Sequence, residues 1–318
     1  MSSVRSLVLA FLFEVVVSAH SADYPSKPIR MVVPFPPGGP NDVIARIIGG
    51  KLNEAWGQAV VIDNRAGAGG NIGTVLVAKS PADGYTLLLN AMHFVVNSAL
   101  YANAGYEPER DFVAVTNAAI SAVIIVVHPS LPVRDVHELV QVAKRSALDY
   151  GSPGTGTAGH LAGELFSSVA GIKLQHIPYK GAAPAVTDLL GGQIKLVITA
   201  IPPTVPHVRA GKLRALAVTT LQRASVMPEV PTVAESGHNG FFVDNMYGVV
   251  VPRGTSSTVV SRLHTTIARV LQMTDVKERL TSQGYEPLGN TPAQFADYLR
   301  AETSKWAKVV RASGLRAE

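Results

Sequence analysis

The chain has 318 residues, of which 47% are hydrophobic and 16% charged, and a formal net charge of +5. So apolar a chain of this length excludes a disordered protein and can build two domains with cores of their own. The basic residues are dispersed, with no Lys/Arg run and no interleaved aromatic ladder, which argues against nucleic-acid binding and leaves a surface that mildly favours anions; the absence of cysteine excludes disulfides and a lipid-anchored Cys.

The N-terminus reads as a secretory signal over residues 1–22. Arg5 supplies the positive start and Leu7–Phe13 the apolar stretch, although Glu14 interrupts it. Small residues allow cleavage after Ala19, or alternatively after Ala22. No later apolar run approaches the ~20 residues of a membrane span. A periplasmic protein is expected.

Beyond the signal, strand-like and helix-like segments alternate. Ile29–Pro34 predicts a strand, and Asp42–Asn53 a helix with Val43, Ile44, Ile47 and Ile48 on one face. Val60–Asp63, a Gly-rich turn over Gly67–Gly73, a helical stretch to Ala78 and the strand Thr86–Asn90 complete a βαβαβ order. Such an order predicts a parallel sheet whose ligand sits beyond the carboxyl ends of its strands. A second series runs through Ala122–Val127, the helix Asp135–Arg145, Leu148–Gly151, the helix around His160–Ala170, Leu174–Pro178, Ala183–Leu190, Leu196–Ala200 and Leu213–Thr219. After Tyr247–Pro252 only helices follow, over Thr258–Met273, Asp275–Ser282 and Pro292–Ala312. The fold class is α/β: two lobes joined at crossings near Val127 and Tyr247, with C-terminal helices. Residues 23–125 with 248–318 form the first lobe and 126–247 the second.

Four loops could carry function. In Phe35–Asp42, bare N–H groups of Gly38 and Gly39 at a helix start can hold an anion, with Phe35 as a wall. The alternative is a plain helix start, Asp42 capping it and pairing with Arg46. In Arg65–Gly73 the glycines let a ligand approach the backbone, whereas Arg65 reads as structural. Tyr150–His160 contains a formal G-x-G-x-x-G at Gly154, Gly156 and Gly159, but Leu174–Lys180 lacks the acidic residue that dinucleotide binding needs. Its hydroxyls, Ser152, Thr155 and Thr157, suit a carboxylate better. In Pro178–Pro184, Lys180 can attract an anion or be a surface lysine. Ser152 and His160 form no nucleophile elbow, and the nine histidines show no metal-binding spacing, so neither an enzyme nor a cofactor or metal is expected.

Taken together, the loops resemble one family. The matching pieces are Tyr24–Arg30, Val33–Asp42, Asp63–Gly73, Pro81–Leu88, Tyr150–Leu161, Ile177–Gly181, Gly211–Ala217 and Val251–Thr255. In this order, over essentially the whole chain beyond the signal, they are similar to Bug-type extracytoplasmic solute-binding proteins, the TctC component of tripartite tricarboxylate transporters. The resemblance implies a two-lobed type II periplasmic-binding-protein fold that closes on a small di- or tricarboxylate, amino acid or aromatic acid. It further implies delivery to the transporter's membrane permease subunits by a monomer; a carboxylate sensor docking on a signalling protein is the alternative. Carried onto this chain, it makes Phe35, Gly38, Gly39, Asp42, Gly69, Gly70, Asn71, Ser152, Thr155, Gly156 and Thr157 the candidate contacts. The chain departs from the family at Ala91–Phe94 and at Lys195–Ile201, which lacks the acidic and aromatic residues often found there. His93, with Asn90, is expected to read the distal end of the ligand, or else to be packed against its neighbours.

Overall fold

The computed structural model describes residues 24–313 and 315–316. The signal reading lies outside the described residues. The first lobe begins with β1 (Ile29–Val33), α1 (Pro40–Trp56), β2 (Val60–Asn64), α2 (Asn71–Ala78) and β3 (Thr86–Asn90). β1 pairs in parallel with β2 on one side and β3 on the other. Ile44, Ile47, Ile48 and Leu52 of α1 are buried beside the strand residues Met31, Val33 and Leu89, so helix and strand periodicities meet in one apolar cluster.

Next come α3 (His93–Leu100), a short α4 (Pro108–Asp111) and the 16-residue strand β4 (Phe112–Val127). The second lobe holds α5 (Val136–Arg145), β5 (Leu148–Ser152), α6 (Ala158–Ala170), β6 (Leu174–Pro178), α7 (Ala182–Leu190), β7 (Leu196–Ala200), α8 (Val205–Arg209) and β8 (Arg214–Val218). The chain returns through β9 (Asp244–Pro252) to α9 (Ser257–Gln272), α10 (Thr274–Thr281), β10 (Tyr285–Pro287) and α11 (Pro292–Ser313).

All ten strands join one sheet in the order β2-β1-β3-β9-β4-β7-β5-β6, with β8 and β10 also paired to β4. The sheet is mixed, not parallel throughout: β9 runs antiparallel to both β3 and β4, because the chain returns through it from the second lobe.

β4 belongs to both lobes. Phe112–Ala122 face β9, whereas Val123–Val127 face β7. The partner exchange at Ala122/Val123 lies upstream of Val127, and the returning strand starts at Asp244, upstream of Tyr247. Both places lie inside or at the start of an extended strand, with no Gly or Pro to mark them. One apolar cluster runs through β4 from Val32 and Leu88 to Ile198 and Phe166. α11 lies against α3 and β4, and the Phe295 ring fills the space a side chain at Gly248 would need.

Candidate functional site

The loops at the carboxyl ends of the strands of both lobes enclose a cleft of about 520 Å3, its open mouth included. One wall is built from Phe35, Pro36, Gly39, Pro40, Asn41, Ala91, Met92, His93 and Asn245, the other from Pro153, Thr157, Ala158, Gly159, Gly181, Ala182, Ala183, Thr199 and Ala200. Most of this lining is Ala, Pro, Phe and Met. Among the described residues, no lysine, arginine, aspartate or glutamate lines it.

Three helices begin at the cleft. The first turns of α1 (Pro40, Asn41), α6 (Ala158, Gly159) and α7 (Ala182, Ala183) all line it. First-turn N–H groups have no partner within their helix. α1 and α7 carry no side-chain cap; on α6 the Thr157 side chain accepts only from His160 N–H. The α6 and α7 termini come from one lobe and the α1 terminus from the other. Partial positive charge and bare donors therefore converge from both sides, without a side-chain cation. α3 is different: Met92 N–H is taken by Asn245 Oδ1, Phe94 N–H by Ala91 O and Val95 N–H by Met92 O.

Of the residues expected from sequence, Phe35, Gly39, His93 and Thr157 stand in the cleft wall. Gly69, Gly70 and Thr155 line an adjoining recess that shares Phe35, Pro36 and Pro153 with the cleft and has Lys180 at its edge. The others line neither surface. Asp42 is buried and accepts from Gly38 N–H (3.0 Å), Arg46 (2.8 Å) and Asn64 (3.0 Å). Burial alone would raise its carboxyl, but the bonds from Arg46, Gly38 and Asn64 hold it below the usual carboxylate range. Asp42 thus fixes the turn, and the Gly38 N–H is spent on it. Asn71 Oδ1 accepts from Asn97 (2.8 Å), and Gly156 N–H donates to His160 Nδ1 (3.2 Å). Ser152 is fully buried, its Oγ 2.7 Å from Nε2 of His176. Asn90, also fully buried, ends β3 just before the wall residues Ala91 and Met92.

His93 is fully buried. Burial pulls its imidazole down to about 3, so the ring is neutral. Phe35 meets it edge-on at 5.0 Å, and a side chain at Gly70 would strike the ring, so this glycine allows the close approach. The lobes touch at the rim: a Cβ at Gly156 would lie 2.0 Å from Asn97 Oδ1, and one at Gly181 3.0 Å from Pro36.

Residues 44–315 match the family described as the Tripartite tricarboxylate transporter family receptor, TctC. This chain belongs to that family. The receptor is 39% identical to Protein BugT of Bordetella pertussis over 301 residues, covering 93% of this chain and 92% of BugT. Among solved structures it resembles R. palustris Rpa4515 with adipate (38% identity, TM-score 0.89, covering 92% of this chain and 99% of that one). It also resembles MatC from Rhodopseudomonas palustris with bound malate (30% identity, TM-score 0.86, covering 90% and 100%). The family and fold are those of periplasmic solute-binding receptors, not enzymes, and the two-lobed reading agrees with them.

Sequence reasoning took Pro178–Pro184 as one of four candidate loops but looked to Lys180 and not to the α7 terminus, and it overlooked Thr199 and Asn245. A signal for α7 was present in Gly181-Ala-Ala-Pro184, a strand end followed by Gly and an early helical Pro. Thr199 sits inside an apolar strand and Asn245 at the start of another, so neither stands out by pattern.

Proposed function

We propose that this receptor captures a small carboxylate between its lobes and presents it, in the closed form, to the membrane permease subunits of a tripartite tricarboxylate transporter. The observation that carries the reading is the convergence of the α1, α6 and α7 first turns on one apolar cleft. A carboxylate there takes several charge-assisted hydrogen bonds, each contributing ~1.5–3 kcal/mol, and the helix termini add ~0.3–1 kcal/mol each. Less the cost of ordering and closure, that suffices for the ~8 kcal/mol of a micromolar complex. The chemistry of adipate and malate in the two related structures supports the same ligand class.

In this reading the lobes divide at Ala122/Val123 and just before Asp244, where β4 exchanges partners and β9 begins. Capture takes place in the periplasm, by a monomer carried there by the signal over residues 1–22. A thermal-shift screen of small carboxylates tests the reading. A ligand at a thousandfold excess over its Kd stabilises the native state by about 4 kcal/mol, so the true class raises the melting temperature clearly. If no mono-, di- or tricarboxylate, amino acid or aromatic acid moves it, the carboxylate reading fails.

A further inference from the structure

Two polar atoms in the cleft wall are buried and have no protein partner: Nδ1 of His93 from the first lobe and Oγ1 of Thr199 from the second. Both residues are fully buried. An unpaired buried polar atom costs about 1–3 kcal/mol, so two on residues that line one cleft point to a bound group that completes them.

The neighbours of His93 select its tautomer. Thr74 Oγ1 gives its proton to Gly70 O at 2.9 Å and lies 3.5 Å from His93 Nε2. The lone pairs of Thr74 therefore face the ring and favour hydrogen on Nε2. Nδ1 is left as a bare acceptor, and burial keeps the ring from gaining a second proton near neutrality. Thr199 has a hydroxyl free to donate.

An acceptor from one lobe and a donor from the other are complementary to a hydroxyl, which has one proton to give and lone pairs to receive. A second carboxylate is not: it would set lone pairs against the lone pair of Nδ1. An ammonium could donate to Nδ1, but no carboxylate lines the cleft to balance its charge.

We propose that the receptor selects a hydroxy acid, its carboxylate on the three helix termini, its hydroxyl donating to His93 Nδ1 and accepting from Thr199 Oγ1, and its body against the apolar wall. The inference rests on the carboxylate reading above and makes His93 and Thr199 the residues that set specificity.

Isothermal titration of the full chain at pH 7.5 with matched acids tests it. One set is 4-hydroxybutanoate, butanoate, succinate and 4-aminobutanoate. A second is 6-hydroxyhexanoate, hexanoate, adipate and 6-aminohexanoate. A third is 4-hydroxybenzoate, benzoate, terephthalate and 4-aminobenzoate. In at least one set the hydroxy acid should bind about tenfold or more tighter than its three partners, because a site built around a hydroxyl discriminates strongly against its absence. Thr199→Val, nearly isosteric, and His93→Phe should each remove most of that preference. Circular dichroism checks that the variants fold, and the valine variant carries the test should the phenylalanine one not. Equal or tighter binding of the dicarboxylate or amino acid in every set overturns the inference, as does a hydroxyl preference that survives Thr199→Val. Binding of none of the acids overturns this inference; the carboxylate reading falls with it only if the thermal-shift screen is blank as well.

Discussion

Buried histidines govern how this receptor responds to acid. His93 is held down to about 3 and His160 to about 4, both by burial, against an ordinary value of 6.5. His160 also stacks on His176 at 4.2 Å, so a charge on either ring opposes the other. The folded values lie below the unfolded one, so the unfolded chain binds more protons in between. The stability these rings permit is complete above about pH 6.5 and is lost as pH falls toward their folded values. Each ring gives a slope of up to about 1.4 kcal/mol per pH unit. Asp42 and Asp63, whose carboxyls are held below 3.8, add to the loss only further down, as pH falls below that value. The urea midpoint should therefore drop between pH 7 and pH 5, and His160→Gln should flatten the drop. A midpoint constant over that range would show that the rings are hydrated. Sequence made Asp42 either an anion-site residue or a cap with Arg46, and the structure uses it to hold the turn. Choosing between the two depends on Asn64, which arrives from the next strand and has no pattern relation to Asp42.

The loops that join strands to helices do most at the level of elements. Gly156 has a φ of +79° and lies against Asn97 across the rim. Gly156→Ala places a side chain in the left-handed region, at about 1–2 kcal/mol, and sets a methyl where Asn97 stands. Because the clash is between lobes, the substitution should weaken ligand binding about tenfold or more while most of the fold's stability remains. Titration calorimetry beside urea unfolding separates the two; an unchanged affinity would mean that the rim need not close. Most elements were legible because their periodicities are clean, α1 and α9 among them. α3 was not: six of the eight residues of His93–Leu100 are buried, so the helix gives no amphipathic signal. The first half of β4 was missed for a related reason. Phe112–Ser121 mixes Ala, Thr and Asn, and its strand identity comes from pairing with β9.

For the whole molecule, closure is the expected motion, with β4 and the start of β9 as its hinge. Small-angle scattering should show a smaller radius of gyration with a saturating ligand than without. Identical profiles would mean that the lobes already rest closed in solution, as their contacts at Gly156 and Gly181 allow. α11 should move with the first lobe, since Phe295 is set against β9 at Gly248 and the helix lies along α3.

Local pattern alone determined the alternating strands and helices and the Gly-rich turns at strand ends, each of which depends on residues near one another in the chain. The family followed from the resemblance of eight such pieces in their order along the chain. Only the tertiary structure decided which turns share a cleft, that α7 supplies the third helix terminus, and that Ser152, Asp42 and Asn71 serve the loops and do not line it. It also decided that His93 and Thr199, 106 positions apart by their numbers, stand in opposite walls of one cleft. The physical reason is that a cleft between lobes is made by pairing along β4 and β9, whose long-range register no local periodicity encodes.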